Sequence, residues 1–383
     1  MKHIKLISVV LILSFIISNT LLAKDSGEPK TKSFKISQGG LLKVEIRSGD
    51  IKIQTWDKDE VLIKIEGLSD EAFKYLEMNL RGDKLTVRDE SYDEETENGV
   101  KFTFTVPSKF NLDLQTMGGD ISLANNITGN VSIDTYGGDI NAMNINGTTE
   151  VETKGGDIRL NELNGDCTIN TYGGDISISL INSKKAKVST NGGDIDIKKS
   201  LYGVDVKTSG GNITIEELGG DSELITYGGD LSVGSAIGNL KMDTHGGNLE
   251  LNSAKGNIKG KTNGGDINFK KIEGSVDLKT MSGMVSIELS PAPNSDNKIS
   301  TNSGSIELIL PASAKTTIEA RIHIQGRWNS TKDDYEIYSD FDSQSYKTDQ
   351  DTHEIIGNYK VNGGGSKIFL KSVNDEINIK KSK

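Results

Sequence analysis

Cysteine is nearly missing from this 383-residue chain: Cys167 stands alone, so no internal disulfide can form. It takes the place that Val131 holds one repeat pair earlier, which reads as a small buried hydrophobe rather than a reactive thiol. Aromatic residues make up 5% of the chain, too few for a thick globular core but enough for thin stacked layers. Of the four histidines (His3, His245, His323 and His353) none stands in H-x-H or H-E-x-x-H spacing, so no transition-metal site is indicated. Positive charge is in deficit as well. A formal net charge of -11 argues against a nucleic-acid partner, which needs a basic face. Beyond the N-terminus, no stretch is long and apolar enough to span a bilayer.

The N-terminus itself carries Lys2 and Lys5, then an apolar run from Leu6 to Leu22, then Ala23 and a polar stretch. A basic start, an apolar middle and a small residue at the end read as a secretory signal peptide over residues 1–23. The alternative is an uncleaved anchor, against which the run is short and polar at its end. Cleavage would remove Lys2 and Lys5 and take the net charge from -11 to -13. No cysteine follows the run, which disfavours lipid attachment. The expectation is an exported protein of the periplasm, the cell surface or the medium.

What the chain has in abundance is glycine, 43 residues, and most of it is periodic. The phrase Thr135-Tyr136-Gly137-Gly138-Asp139-Ile140 recurs in variants that begin at Thr116, Thr135, Thr153, Thr171, Thr190, Thr208, Thr226, Thr244, Thr262, Thr280 and Thr301. Most intervals are 18 residues, two are 19 and the last is 21. A fixed period of this size decides the architecture. The unit divides into halves of nine, each opened by Gly followed by Asp or Asn, as in residues 129–137 and 156–164.

Each half supplies a short strand whose alternate residues share a face, Val131, Ile133 and Thr135 in one and Ile158 and Leu160 in the other. In the second half the third apolar residue (Leu163, Leu218, Ile272) falls one position late, which predicts a corner or a short third side. Stacked units give an all-β parallel β-solenoid of about 11 rungs, roughly 50 Å long at the usual strand spacing. The crossover preference favours right-handed coiling.

Flanking segments divide the chain further. Residues 24–32 are polar and read as a linker, 33–110 as a β-rich N-terminal cap, 111–310 as the array and 311–383 as a β-rich C-terminal cap. In the first cap Leu42, Val44 and Ile46, then Ile51 and Ile53, then Val61, Ile63 and Ile65 alternate as half-buried strands do. Arg47-Ser48-Gly49-Asp50-Ile51 is a looser copy of the repeat phrase. Residues 71–78 hold either a helical turn or a strand, with the alternation of Leu76, Met78 and Leu80 favouring strand. Arg81-Gly82-Asp83 spells the integrin tripeptide, but between two alternating runs it reads as a hairpin turn. Residues 92–99 form an acidic loop. Ile306 to Pro311 echoes Phe102 to Pro107, so a strand-then-proline phrase flanks the array at both ends. The second cap shows strands near 317–324 and 366–372 and a polar loop over 329–351.

Three patterns are candidates for chemistry. The threonines point inward at a strand end, where a hydroxyl satisfies a corner backbone group and stacked hydroxyls bond along the ladder. The alternative is an outward array that binds ice or sugar, against which the neighbouring positions are mixed (Met117, Tyr136, Lys154, Asn191, His245). Asp120, Asp139, Asp157, Asp175, Asp194, Asp230 and Asp266 recur, with Asn212 and Asn248 in the same slot. That exchange suits a short side-chain acceptor for the turn; calcium held in the corners is the alternative, although the nine-residue calcium-roll pattern is not matched. Tyr136, Tyr172 and Tyr227, with Met117 and Met281, stand outward before the glycine pair, either to meet a glycan ring or a partner protein or to cover the corner. Acids recur on every rung instead of clustering, which marks a structural slot and leaves a polysaccharide-cleaving carboxylate pair as the enzymatic alternative.

The G-G-D-I phrase at 18-residue spacing, Gly49-Asp50-Ile51 followed by Trp56-Asp57-Lys58-Asp59-Glu60-Val61, and the strand ending at Pro107 together resemble the bacterial putative-adhesin family. The resemblance covers roughly residues 33–380 and implies exported β-solenoid proteins of undefined activity. It carries over no catalytic or binding residue, no cofactor and no metal. The expectation is a non-enzymatic extracytoplasmic solenoid that meets a surface glycan or an envelope protein, without nucleic acid and without a membrane span after cleavage. The alternatives are a β-helix enzyme acting on polysaccharide and a calcium-stabilised β-roll.

Overall fold

The structure is a computed structural model that describes residues 28–89, 99–326 and 334–382. Residues 1–23, read as a signal peptide, and most of the acidic loop 92–99 lie outside the described residues. Each repeat makes one circuit of a parallel β-solenoid. A strand such as Val131–Thr135 lies on one side, called face A, and Ile140–Asn146 lies on the next, face B. The face B strand buries Ile140 and Ala142, then shifts by one so that Ile145 is the next buried residue. Its parallel pairing with Ile158–Asn164 skips Met143 and Asn161 at that shift. The late apolar residue therefore bends the strand and opens a short third side, as the spacing implies.

Rungs stack in strict register. On face A, Val131, Thr149, Cys167 and Ala186 lie over one another, and Thr135, Thr153 and Thr171 do the same. Face B repeats this with Ile140, Ile158, Ile176 and Ile195. The result is a single hydrophobic core one or two side chains thick, running from Ile36 to Ile379. Its fully core phenylalanines are Phe102, Phe104, Phe110 and Phe269, none of them in the middle rungs. Each buried Ile or Leu contributes roughly 1.5–3 kcal/mol against an exposed one, so small residues suffice when every rung repeats them.

The caps continue the same ladders but change their order. On face A, Leu41–Ser48 sits between Asn111–Gly118 and Lys84–Asp89, parallel to both. On face B, Asp50–Trp56 sits between Ile121–Leu123 and Lys101–Pro107. The looser phrase at Gly49-Asp50-Ile51 is thus a true rung. The C-terminal end mirrors this: Ser366–Val373 slots between Asp296–Thr301 and Thr316–His323, and Ile377–Lys381 slots between Ile306–Leu310 and Ile337–Ser339. At both ends a rung near the terminus is held under an outer layer.

Antiparallel strands then close the ladders. Lys30–Lys35 pairs with Glu60–Glu66, which pairs with Lys101–Pro107, and Thr316–His323 pairs with Glu354–Val361. The outermost strand Lys30–Lys35 places Lys30, Lys32 and Lys35 on its edge, and Ile337–Ser339 is only three residues long; both features discourage further pairing.

Several local expectations change. Residues 30–32 belong to the first strand and not to a linker. A helical turn and a strand share the segment read as one or the other. Asp70–Phe73 is a short helix whose N-cap, Ser69, accepts a hydrogen bond from Ala72 N–H, and Leu76–Arg81 is a strand. The described part of 329–351, expected to be loop, contains the strands Ile337–Ser339 and Ser343–Asp349. Gly82 and Asp83 form the two-residue turn of the hairpin Leu76–Arg81/Lys84–Asp89, with Gly82 at φ +58°, so the tripeptide is a turn.

Candidate functional site

The corner between faces A and B is the most heavily bonded part of the repeat. Thr171 is buried, its hydroxyl donates to the Gly156 carbonyl one rung before at 3.0 Å, and it accepts from Gly174 N–H at 3.3 Å. The same pair of bonds recurs at Thr153, Thr190, Thr208, Thr226, Thr244 and Thr262. All eleven repeat threonines are buried, which removes the ice- or sugar-binding array. Their hydroxyls bond backbone rather than one another, which corrects the expected hydroxyl ladder.

The aspartates form a second ladder. Asp139 N–H donates to Asp120 Oδ1 at 2.8 Å, Asp157 N–H to Asp139 Oδ1 at 2.9 Å and Asp175 N–H to Asp157 Oδ1 at 2.9 Å. It continues through Asp194 and Asn212 to Asp230, whose N–H donates to Asn212 Oδ1 at 2.8 Å. The slot needs an acceptor and not a charge, hence the exchange of Asp with Asn. Its service is to the following rung and not to its own turn. Arg159 lies between two ladder carboxylates, 2.7 Å from Asp157 and 3.4 Å from Asp139.

Among the described residues no group of three or more His, Cys, Asp or Glu is placed to hold a metal ion. Because either Asp or Asn supplies the acceptor, Asp175→Asn should leave stability almost unchanged, whereas Asp175→Ala should cost about 1 kcal/mol for the Asp194 N–H left without its acceptor. Urea midpoints for the two variants, with and without EDTA, check this; equal losses, or a loss produced by EDTA, would favour the calcium reading.

Cys167 is buried in the face A stack, and burial pushes its thiol up to about 11. The thiolate is the reactive form, so at pH 8 a disulfide reagent should label native protein roughly a hundredfold more slowly than unfolded protein. Equal rates would show that this rung opens freely.

With threonine, both glycines and the aspartate all committed to the corner, only the residue after threonine projects from it. Met117, Tyr136, Tyr172, Tyr227 and Met281 are each about half exposed along this ridge. Lys154 Nζ lies 3.7 Å from the centre of the Tyr136 ring, and Tyr227 packs on His245 with ring centroids 5.2 Å apart. Both contacts join neighbouring rungs, and an 18-residue overlay of the repeats would have placed these partners together in sequence. The ring of Tyr172 has no aromatic or cation partner among the described residues. No helix among the described residues is long and apolar enough to cross a membrane.

The solved structures similar to this chain include "a putative adhesin" of Bacteroides fragilis, 11% identical over 92% of this chain and 97% of that one, TM-score 0.23. They also include "a putative adhesin" of Parabacteroides merdae, 12% identical over 74% and 96%, TM-score 0.25, and a "putative lipid binding protein" of Parabacteroides distasonis, 16% identical over 74% and 97%, TM-score 0.23. No curated protein matches. The Toastrack DUF4097 family model, by contrast, matches residues 41–233 and again 184–343, which together span well over half of the 383-residue sequence. By that match the chain belongs to the Toastrack DUF4097 family.

Proposed function

We propose that this protein is a non-enzymatic extracytoplasmic scaffold that meets a surface glycan or an envelope protein through the ridge of Tyr136, Tyr172 and Tyr227. The observation behind this reading is the division of labour at the corner. The other residues of the repeated phrase serve rung-to-rung bonding or the core and vary within narrow limits, whereas the exposed position after threonine ranges over Met, Tyr, Lys, Asn, Ser and His. Aromatic side chains held on a rigid corner lose little entropy on binding, which favours them as contact residues. Rigid rungs about 4.8 Å apart place Tyr136 and Tyr172, two rungs apart, roughly 10 Å from each other, a spacing suited to an extended ligand.

The test is binding of purified protein to isolated cell envelopes and to a glycan array, compared with the triple variant Y136A/Y172A/Y227A. A loss of tenfold or more, about 1.4 kcal/mol, is expected at unchanged melting temperature. Equal binding by the variant would move the contact surface elsewhere, and no binding to any envelope component would remove the adhesive reading.

A further inference from the structure

Face A divides by charge along its length. Past the N-terminal cap, where Lys43 pairs with Asp113 at 3.0 Å, its early rungs turn Asp134, Glu150 and Glu152 outward. Its late rungs turn Lys241, Lys259, Lys261, Lys279, Lys298 and Lys371 outward, with Lys367 beside them. Over these late rungs the acids on the same face are Asp243, Asp277 and Asp296. Lys241 is paired with Glu223 at 2.6 Å, while the other six lysines form no ion pair among the described residues. With seven lysines against three aspartates, the strip carries a surplus of 7 - 3 = 4 positive charges on a chain of net charge -11.

Register makes this costly. Lys241 pairs with Lys259 and Lys261 with Lys279, directly across neighbouring strands. Like charges in that position destabilise a sheet. The same register sets Asp243 opposite Lys261, Asp277 opposite both Lys259 and Lys298, and Asp296 opposite Lys367, which offsets part of that cost. The lysines still outnumber these acids, and the surplus positive charge is what the strip offers to a partner. From the Lys241 rung to the Lys371 rung the strip runs roughly 20 Å along the solenoid axis, and its two columns stand about 7 Å apart. Neutral Asn263, Met281 and Asn302 border it on the ridge side. Near its far end Phe369 turns outward in register with Lys298, half-buried, with Arg321 6.0 Å from its ring centre.

We propose that this strip binds a linear acidic polysaccharide laid along the solenoid axis. Ammonium groups are point charges that engage carboxylate or sulfate alike, and the exposed part of Phe369 offers a surface for a sugar ring. The long narrow outline fits a single polymer strand better than a membrane plane. One half-buried phenylalanine provides no stacking series for single-stranded nucleic acid. A second copy of the chain could set its acidic rungs against these lysines, but Ile225 is the one aliphatic side chain that the strands of face A turn outward between these two regions, too little for an anchored interface.

The experiment measures binding of the full-length protein to polygalacturonate, to dextran sulfate and to neutral dextran, from 25 to 500 mM NaCl. Binding to at least one anionic polymer and not to dextran is expected, falling linearly on a log–log salt plot; the two anionic polymers tell carboxylate from sulfate preference. The variant K259Q/K261Q/K279Q/K298Q should bind at least tenfold more weakly and lose part of the salt slope. Its melting temperature should change little, since the Lys241/Lys259 and Lys261/Lys279 repulsions go together with the attractions to Asp243 and Asp277. Y136A/Y172A/Y227A should bind these polymers as the parent does, so this inference and the ridge reading fail separately. Absence of binding at 25 mM NaCl, or equal binding by the lysine variant, overturns the proposal. Tighter binding to single-stranded DNA or to phosphatidylglycerol vesicles also overturns it, as does a dimer in sedimentation that the lysine variant abolishes.

Discussion

Gly174→Ala should destabilise the array by about 3 kcal/mol or more, whereas Gly173→Ala, one residue earlier, should change stability by no more than about 0.5 kcal/mol. The two glycines are adjacent in the phrase, but their surroundings differ. A Cβ on Gly174 would lie 2.0 Å from the Gly156 carbonyl oxygen and 2.4 Å from its carbon, inside the rung before. A Cβ on Gly173 would meet nothing nearer than the Lys154 carbonyl oxygen at 3.5 Å, an ordinary contact. Neither backbone takes a left-handed φ, so the difference is one of space alone. The obstructing atoms at Gly174 belong to a backbone stitched on both sides, and relief requires separating two rungs.

Because each rung contacts only its neighbours, such a separation breaks the array into two shorter stacks. The expected readout is a fall in melting temperature of roughly 5–10 °C for Gly174→Ala. Similar melting temperatures for the two variants would mean that rung spacing is soft at the corner.

That asymmetry shows where sequence reading stops. The 18-residue period exposes the repeat, the inward threonine and the interchange of Asp with Asn, because periodicity reports which side of a strand a residue occupies. It does not report which strand lies alongside. Nothing in the alternation of Leu42, Val44 and Ile46 says that their strand is flanked by Asn111–Gly118 and Lys84–Asp89, since both arrangements bury the same face. The missed strand Ser343–Asp349 shows the converse: Ser343 to Thr348 are all exposed, so no apolar alternation marks it. The lysine strip was legible in principle, because Lys241 and Lys259, and Lys261 and Lys279, are each one period apart. It emerges once repeats are overlaid for their outward residues as well as for their core. The distinction between Gly173 and Gly174 shows in the repeats only as Ser282 and Ser303 in the first slot, while the second is glycine in every copy; the packing of successive corners supplies the reason.

The second large effect is expected at the threonine ladder. Thr171→Val keeps the volume of the side chain but deletes one donor and one acceptor. The Gly156 carbonyl and the Gly174 N–H, both on buried glycines, would then lose the partners they have at 3.0 and 3.3 Å. A buried polar group deprived of its partner costs roughly 1–3 kcal/mol, so two of them should total about 3 kcal/mol after the small gain from an added methyl. Thr171→Ser separates bonding from packing, because it keeps the hydroxyl and loses only a methyl group, worth about 1 kcal/mol. If valine proved no worse than serine, the ladder would be packing with incidental hydrogen bonds. Thr262 makes the same two bonds five rungs away, to Gly247 and Gly265. Sites that far apart share no partner, so the double variant T171V/T262V should lose the sum of the two single losses. A deficit clearly above that sum would show that distant rungs are coupled through the stack, and that the corner transmits strain along the solenoid instead of confining it.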